Sequence, residues 1–183
     1  MKKMRLFSAA EGETYMIGII IGNVASLLAT ITDSISATRK TSRGMLLTQM
    51  LSQSIYTVAA LALKGYSGAV QNVVGIIRNI VAISGKTFKG ADWVFAGLGV
   101  VFGLYFNNLG VVGLLPVLAG LEYSLAVFRF QNNERALKVA FIVMNVLFTI
   151  YNCFVYNVVG AISSAVVVVS TVVYLVKNKK SAQ

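Results

Sequence analysis

Residues 66–85 read Tyr-Ser-Gly-Ala-Val-Gln-Asn-Val-Val-Gly-Ile-Ile-Arg-Asn-Ile-Val-Ala-Ile-Ser-Gly. The stretch is long and apolar enough to cross a bilayer as one helix, which needs about 20 residues. It nevertheless carries Gln71, Asn72, Arg78 and Asn79. Polar side chains at membrane depth are costly unless they contact other helices or water, so these four predict interhelical hydrogen bonds or a lined cavity. Arg78 and Asn79 have a third interpretation, because side chains near a helix end can extend to the membrane interface.

The composition is that of a membrane protein. The chain has 183 residues, of which 57% are hydrophobic and 12% are charged, and its mean hydropathy is +0.77. A soluble domain has about 25% charged residues. Since no polar stretch is long enough to build a separate soluble domain, the sequence predicts an all-α, polytopic membrane protein.

The net charge of +10 comes from basic residues grouped at the ends of the apolar stretches. This placement is typical of membrane helices oriented by cytoplasmic Lys and Arg, so we expect a lipid bilayer and no nucleic acid as partner. Histidine is absent and Cys153 is the only cysteine. Because the commonest general base and metal ligand is missing, we expect no enzyme activity, no metal and no cofactor.

Seven apolar stretches predict seven transmembrane helices. They cover residues 15–37, 45–63, 66–85, 93–106, 110–128, 137–154 and 158–176. The corresponding division of the chain is a tail (1–14), a first three-helix bundle (15–86), a linker helix (87–109), a second three-helix bundle (110–177) and a tail (178–183).

The distribution of basic residues predicts the orientation. With seven crossings, one face receives Arg39, Lys40, Arg43, Lys86, Lys89, Arg129, Arg135, Lys138, Lys177, Lys179 and Lys180. The other face receives Lys64 together with Lys2, Lys3 and Arg5. The first face should be cytoplasmic, which places the N-terminus outside and the C-terminus inside the cell. If residues 93–106 did not cross, the second half would be inverted.

The two predicted bundles are related by an internal repeat. A shift of 92 residues superposes Arg43 on Arg135, Thr57 on Thr149, and Gly68-Ala69 on Gly160-Ala161. Both bundles have the same direction only if one extra helix separates them, and the linker helix provides it. The sequence therefore predicts parallel repeats in a 3+1+3 arrangement.

Several short motifs carry a family resemblance. They are Gly65-Tyr66-Ser67-Gly68-Ala69, Ile77-Arg78-Asn79, Ile83-Ser84, Leu115-Pro116-Val117, Ile150-Tyr151-Asn152 and Gly160-Ala161-Ile162. With the 3+1+3 plan, they resemble the bacterial inner-membrane YgjV-like family, within the broader group of SWEET, PQ-loop and PnuC transporters. The resemblance covers about residues 15–177. It implies an inner-membrane protein of a transporter-like fold without a settled activity.

The resemblance also implies a hinge. SWEET-type bundles carry a proline in the first helix of each triplet, and Pro116 matches that position in the second triplet. The first triplet has Gly18, Gly22, Asn23 and Ser26 in its first helix instead. The chain also lacks a PQ dipeptide and the PnuC tryptophan motif.

A charged cluster is the first candidate site. Asp33 and Glu122 lie at similar depth in the first helices of the two bundles, and Arg78 ends its helix on the same side. An ion pair of Arg78 with Asp33 or Glu122 would neutralise the guanidinium. Two roles remain open for this cluster, a cytoplasmic gate and a static structural pair.

The second candidate site consists of amides and a phenol near mid-membrane. Its members are Asn72, Asn152, Asn23, Gln53, Asn145 and Tyr151. Substrate sites of repeat transporters lie near the midplane where the repeats meet. Such a lining suits a small neutral solute with hydroxyl groups or a heterocycle, with Asn72 and Asn152 as the first choices. The alternative is that these side chains bond neighbouring helices.

Ladders of small residues predict close helix packing. One contains Gly18, Gly22, Ser26 and Thr30, and another contains Gly99 and Gly103. Packing within one chain is the favoured interpretation, and a homo-oligomer interface is the alternative.

These features favour a small-solute transporter with alternating access. Facilitated diffusion is favoured over ion coupling, because acidic residues at mid-membrane depth are scarce. The alternative is a non-transporting membrane scaffold or regulatory protein, since a fold does not fix a function.

Overall fold

The structure is a computed structural model that describes the backbone of residues 2–178, and side chains at residue 13 and from residue 15 onward. This part of the chain forms seven helices and no strand. The helices are α1 (Lys2–Thr38), α2 (Ser42–Ala62), α3 (Tyr66–Ser84), α4 (Ala91–Tyr105), α5 (Leu114–Arg129), α6 (Glu134–Phe154) and α7 (Val158–Lys177). The predicted all-α class is confirmed for these residues, and Lys179 and Lys180 lie outside them.

Two helix starts differ from the sequence-based expectation by four residues or more. The α1 helix begins at Lys2, so residues 2–14, expected as a tail, continue the helix. The α5 helix begins at Leu114 rather than at residue 110. The Asn107 side chain holds the preceding residues in a turn, because its Oδ1 accepts from the Leu109 N–H at 3.0 Å and its Nδ2 donates to the Gly110 carbonyl at 2.8 Å.

The second helices of the two predicted bundles match closely. Both α2 and α6 have 21 residues, and their first residues, Ser42 and Glu134, are 92 positions apart. Each helix has a side-chain N-cap, which satisfies one of the free N–H groups of the first turn. Thr41 accepts from the Gly44 N–H at 3.2 Å, and Asn133 accepts from the Ala136 N–H at 3.0 Å.

The turns after these two helices also match. Lys64 and Tyr156 are the non-glycine residues with positive φ in the described part of the chain, at 56° and 57°. They too are 92 positions apart, and each is followed after one residue by a helix, α3 or α7. Because left-handed backbone is unfavourable for a residue with a Cβ, its recurrence at this offset indicates a repeated local fold.

Four segments are long and apolar enough to cross a membrane by length and composition. They are Tyr15–Thr38 of α1 and the helices Ser42–Ala62, Glu134–Phe154 and Val158–Lys177. The α4 helix is apolar but has 15 residues, and α5 has 16. At 1.5 Å per residue these two helices are shorter than the roughly 30 Å thickness of a hydrocarbon core.

The helices pack as a ring of six with one helix beside it. The main contacts join α1 to α2, α2 to α3, α3 to α5, α5 to α6, α6 to α7, and α7 back to α1. The α4 helix packs against α3 and α5. Each helix also packs against the next one in the chain across a connection of three to eight residues. Successive helices are therefore antiparallel, and the contacts α1–α7 and α3–α5 join parallel helices.

The two ends of the bundle differ in charge. At one end, the Lys138 Nζ donates to the Ala37 carbonyl at 2.7 Å, and Arg129 pairs with Asp92 at 3.1 Å. We call this the basic end, because it carries Arg39, Lys40, Arg43, Lys86, Lys89, Arg129, Arg135, Lys138 and Lys177. At the opposite end, the Asn108 Nδ2 donates to the Lys64 carbonyl at 2.7 Å.

The main hydrophobic core fills the basic end. It consists of Ala37, Met45, Leu46, Ala82, Tyr123, Ala126, Val127, Leu137, Ala140, Phe141 and Val167, all buried. Apart from Val167, these residues lie within about two turns of the basic end of their helices. We call this group the basic-end cluster. It closes the ring at that end with packed apolar side chains.

The small-residue ladders pack within the chain, as predicted. A Cβ added at Gly18 would lie 2.6 Å from the Ala62 carbonyl oxygen, and one at Gly22 would lie 2.5 Å from Leu63 Cγ. Both glycines therefore allow α1 to approach the end of α2 closely. In α4, Gly99 likewise faces a side chain of α3, because its Cβ would lie 3.0 Å from Gln71 Oε1.

Candidate functional site

A polar cavity with a volume of about 60 Å³ lies between the six ring helices. Each of these helices contributes to its lining, for example with Asp33, Gln49, Asn72, Gly120, Asn145 and Ser164. The cavity extends from Leu63 and Val155, at the opposite end, to Arg78 and Phe141. Phe141 belongs to the basic-end cluster, so the cavity ends where the packed core begins. Its volume is enough for a few water molecules.

Five of the six predicted binding residues line this cavity. They are Asn72, Asn152, Gln53, Asn145 and Tyr151. Gln53 and Asn145 occupy equivalent positions 92 residues apart, and each backbone carbonyl accepts a bond from a threonine hydroxyl at 2.8 Å. The sequence prediction that these side chains meet near the middle of the bundle thus agrees with where the structure places them.

Asn23, the sixth predicted binding residue, is not among the residues that line the cavity. Its Oδ1 accepts from the Val159 N–H at 3.0 Å, and its Nδ2 donates to the Ile19 carbonyl at 2.9 Å. The Oδ1 therefore joins α1 to the start of α7, while the Nδ2 bonds a carbonyl one turn earlier in α1. Asn23 serves the α1–α7 contact, which is the alternative that the sequence left open for this group.

Arg78 lines the cavity, but its hydrogen-bond partners are neutral. Its Nε donates to Asn79 Oδ1 at 3.1 Å, and its Nη1 donates to Ser124 Oγ at 3.2 Å. The guanidinium carbon lies 4.8 Å from the centre of the Tyr123 ring, within the range of a cation–π interaction. Arg78 is 2% exposed and its Nη2 has no hydrogen-bond acceptor among the described residues.

The predicted ion pair of Arg78 with Asp33 or Glu122 is not formed. The ion pairs within the described residues are Arg129–Asp92 and Lys138–Glu134. Asp33 instead accepts a hydrogen bond from the Ser52 hydroxyl. Glu122 is not among the cavity-lining residues, and its buried Oε2 has no hydrogen-bond partner within the described part of the chain. Similar depth along the helices was therefore not sufficient to bring these charges together.

Pro116 does not interrupt a helix. Because α5 begins at Leu114, the proline is its third residue. The first N–H groups of a helix have no intrahelical acceptor, so a proline there removes no helical hydrogen bond and forces no kink. Pro116 therefore lies in the first turn of α5, and its role as a hinge, which the family resemblance implies, stays a prediction.

Gln71 lines the cavity, and the sequence predicted an interhelical hydrogen bond or a lining role for it without placing it among the binding residues. Its Nε2 donates to the Gly99 carbonyl of α4 at 2.6 Å, which confirms that prediction. The side chain also lies against Gly120 of α5, where a Cβ would overlap it. Its buried Oε1 has no donor among the described residues. Gln71 thus holds α3 against α4 and α5 and leaves one acceptor free.

The close approach of Gln71 and Gly120 gives a stability prediction. Gly120→Ala should lower the free energy of unfolding by about 1–3 kcal/mol, because the added methyl must displace a buried side chain. Gly97→Ala is the matched control, since a Cβ at Gly97 meets nothing within 4 Å. The control should be neutral or stabilising by a few tenths to about 1 kcal/mol through helix propensity. Unfolding in mixed detergent and SDS measures both, and equal values for the two variants would contradict the predicted contact.

Two further amides of the cavity lining, Gln49 and Asn157, were not among the predicted binding residues. Gln49 Nε2 donates to the Tyr123 hydroxyl at 2.7 Å, which links α2 to α5 across the ring. Asn157 accepts from the Gly160 N–H and donates to Ser26 Oγ, both within 2.9 Å. The signal for Asn157 was present, because an asparagine directly before an apolar helix is typical of an N-cap. No local signal pairs Gln49 with a residue so distant in sequence.

The helical bundle has an apolar outer surface and polar side chains at its centre. These two features identify the chain as a helical membrane protein. Large hydrophobic side chains are exposed along its helices, for example Ile20, Leu27, Leu51, Val101, Val143 and Val169. A soluble protein rarely exposes such continuous apolar surface.

The sequence comparison gives the family. Residues 20–182 match the model of the Imp-YgjV family, described as bacterial inner membrane protein, and the chain belongs to this family. The match confirms the resemblance on which the sequence-based expectation rested. No curated protein and no solved structure matches the chain. The wider relationship to SWEET, PQ-loop and PnuC transporters therefore stays a prediction.

Proposed function

We propose that this protein is a small-solute transporter that works by alternating access between two three-helix units. The observation that carries the proposal is the central polar cavity, which is walled by α1, α2 and α3 on one side and by α5, α6 and α7 on the other. Substrate sites of repeat transporters lie at such an interface. Buried polar atoms that have no partner among the described residues, such as Gln71 Oε1, provide groups that a solute can bind.

The proposed 3+1+3 arrangement rests on the repeated geometry. The pairs α2/α6 and α3/α7 begin 92 residues apart, and the two contacts between triplets, α1–α7 and α3–α5, both join parallel helices. An axis along the bundle would exchange these two contacts. The α4 helix stands beside the ring and returns the chain to the opposite end, where α1 begins. We therefore propose seven membrane crossings, of which α4 and α5 are the two short ones.

The cavity size supports a conformational cycle. Established small-molecule pockets have volumes of roughly 300–1,000 Å³. The cavity of about 60 Å³ must therefore widen to admit a solute. It extends toward the opposite end, and the basic-end cluster closes the other side. The described conformation fits a state that is closed toward the basic end, and the inverse state would require the cluster to separate.

The proposed orientation places the basic end in the cytoplasm, and cysteine labelling tests it. In a Cys153→Ala background, Val111→Cys lies in the α4–α5 connection and Asn132→Cys in the α5–α6 connection, both exposed. A membrane-impermeant maleimide should label the first in intact spheroplasts and the second only after permeabilisation, because Lys and Arg hold their loops in the cytoplasm. The reverse pattern would contradict this orientation, and it would follow either from an inverted bundle or from an α4 helix that does not cross.

Facilitated diffusion remains the proposed mode. Asp33 is the one acidic residue among those lining the cavity, and it already accepts from Ser52. We also propose that the protein has no enzymatic role, because neither a histidine nor a second cysteine exists to build the common catalytic sets. We propose that the protein is embedded in the lipid bilayer and that it binds no nucleic acid. A homo-oligomer is compatible with the exposed apolar faces.

A binding screen followed by a flux measurement tests transport. Thermal unfolding of the purified protein is measured against sugars, nucleosides, vitamins, amino acids and organic acids, because a ligand of the folded state raises its apparent stability. A hit should lose its effect in Asn72→Ala and Asn152→Ala and keep it in the exposed control Asn178→Ala. The hit is then assayed for uptake into proteoliposomes. A ligand that binds at these residues without any uptake would contradict the transport proposal.

The alternative is a non-transporting scaffold or regulatory protein. It is favoured by the small cavity and by amides that already have partners inside the bundle. Asn145 Nδ2 donates to the Phe141 carbonyl at 2.8 Å, and Asn152 Oδ1 accepts from Asn157 at 3.2 Å. The free atoms of Gln71 and Arg78 favour transport over this alternative.

A further inference from the structure

We propose that the solute carries a single carboxylate and that this carboxylate binds Arg78. The inference rests on the proposed function, because it names the class of solute for the same cavity. It also replaces the neutral solute that the amide-rich sequence suggested. The class is a small polar monocarboxylate, with the carboxylate at the floor of the cavity and a hydrogen-bonding body among the amides.

The geometry of Arg78 is that of an anion site that is held in place. Two of its nitrogens are fixed by Asn79 and Ser124, and the ring of Tyr123 supports the guanidinium plane at 4.8 Å. The third nitrogen, Nη2, has no acceptor in the described part of the protein. Glu122 is near enough to interact electrostatically with Arg78 but is not within ion-pair distance, so Nη2 has no carboxylate acceptor among the described residues and a ligand carboxylate supplies one.

The other charged groups limit the ligand to one negative charge. Asp33 is the acid in the cavity lining, and Glu122 is the acid directly before Tyr123 in α5. Neither lies within ion-pair distance of Arg78 among the described residues. A second carboxylate on the ligand would have no cation in the cavity lining and would be repelled by Asp33. A monocarboxylate meets one cation and avoids that repulsion.

The site also joins the two triplets. Arg78 belongs to α3, while Ser124 and Tyr123 belong to α5 and Tyr123 is part of the basic-end cluster. In the described conformation Nη2 is shielded, so a carboxylate reaches it only when the cavity widens. Binding at Nη2 therefore affects the α3–α5 contact. This contact must change when the basic-end cluster separates and the cavity opens toward the basic end.

Matched acid and amide ligands test the proposal directly. Thermal unfolding of the purified wild-type protein is measured with lactate against lactamide, with glycerate against glycerol, and with chloride and succinate as further anions. We expect the monocarboxylates to raise the midpoint in a saturable manner and their uncharged counterparts to leave it unchanged. Chloride acting as strongly as lactate would overturn the carboxylate assignment, and so would an equal shift from lactamide.

Variants then assign the effect to Arg78. Arg78→Gln should abolish the lactate shift, and Arg78→Lys should retain a weaker one, because lysine keeps the charge and loses the planar guanidinium. If Arg78→Gln does not fold, the proposal is still tested by the wild-type comparison of acids with uncharged ligands and by Arg78→Lys. An undiminished lactate shift in Arg78→Lys would contradict a site that depends on the planar guanidinium. The matched control is Arg129→Gln, whose side chain is on the exposed surface at the basic end.

The outcomes for transport and for the solute class are distinguishable. Uptake of a neutral solute, with no response to any monocarboxylate, would overturn this inference and leave the transporter proposal intact. Saturable lactate binding that depends on Arg78, with no uptake into proteoliposomes, would support this inference and contradict transport. A complete lack of response to monocarboxylates at high concentration would also overturn the inference.

Discussion

Replacing Lys138 with methionine is expected to lower the free energy of unfolding by about 3 kcal/mol or more, the usual cost of breaking a buried charge pair from one side. Its side chain is fully buried, and its Nζ donates to the carbonyls of Ala37 at 2.7 Å and Arg39 at 2.9 Å. It pairs with Glu134 at 3.0 Å and lies 3.5 Å from the centre of the Tyr174 ring. The variant leaves two carbonyls and a carboxylate without their donor, so the contact of α6 with the end of α1 should weaken.

Arg129→Met is the matched control for this experiment. Arg129 is also a basic residue at the same end with an acidic partner, but its side chain is 48% exposed. An exposed ion pair contributes about 0–1 kcal/mol, so this variant should have a small effect. Both proteins are compared by unfolding in mixed detergent and SDS. A loss for Lys138→Met no larger than that for Arg129→Met would show that the buried lysine does not hold the basic end together.

Asn157→Ala is the second large expected change, with a loss of about 3 kcal/mol from one cap and two buried hydrogen bonds. Asn157 is 4% exposed and caps α7 through the Gly160 N–H at 2.9 Å. Its Nδ2 also donates to Ser26 Oγ at 2.8 Å and to Asn152 Oδ1 at 3.2 Å. Removal of the amide therefore frees polar groups on α1 and α6 in addition to the start of α7.

Asn133→Ala separates the cap from the buried network. Asn133 caps α6 through the Ala136 N–H at 3.0 Å, and it is exposed. Loss of this cap alone should cost about 1 kcal/mol. The difference between the two variants, measured by the same unfolding method, is the contribution of the contacts with Ser26 and Asn152. Similar losses in the two variants would mean that Asn157 acts only as a cap.

The helices and their repeat could be predicted from the sequence because they follow from local patterns. Apolar length located seven helices, and the spacing of a few side chains gave the 92-residue offset that the helix starts and turns reproduce. The amides were placed at the centre because a polar side chain in an apolar helix must face protein or water. Gln53 and Asn145 line the cavity as that reasoning predicts.

The partners of polar residues could not be predicted, because they depend on helix rotation rather than on depth. Arg78 was matched to acids at its own level, whereas its neighbour Asn79 and Ser124 of α5 are within reach. Lys138 was counted as a charge at a loop, and the structure buries it because α6 begins at Glu134. Pro116 was assigned to a hinge from the family resemblance, and the Asn107 turn delays the start of α5 so that the proline lies in its first turn.

The contact between α1 and α7 also determines how the chain could be rearranged. These two helices are neighbours and parallel, so the end of α7 at the basic end is far from the start of α1. A circular permutant that begins at α5 would need a new connection from one end of the bundle to the other. A short flexible linker could not span it without an additional crossing helix, which is the task that α4 performs between α3 and α5. From the start of α1 to the start of α5 the chain runs through four helices, so these two equivalent helices point in the same direction. This requirement constrains the order of the helices along the chain.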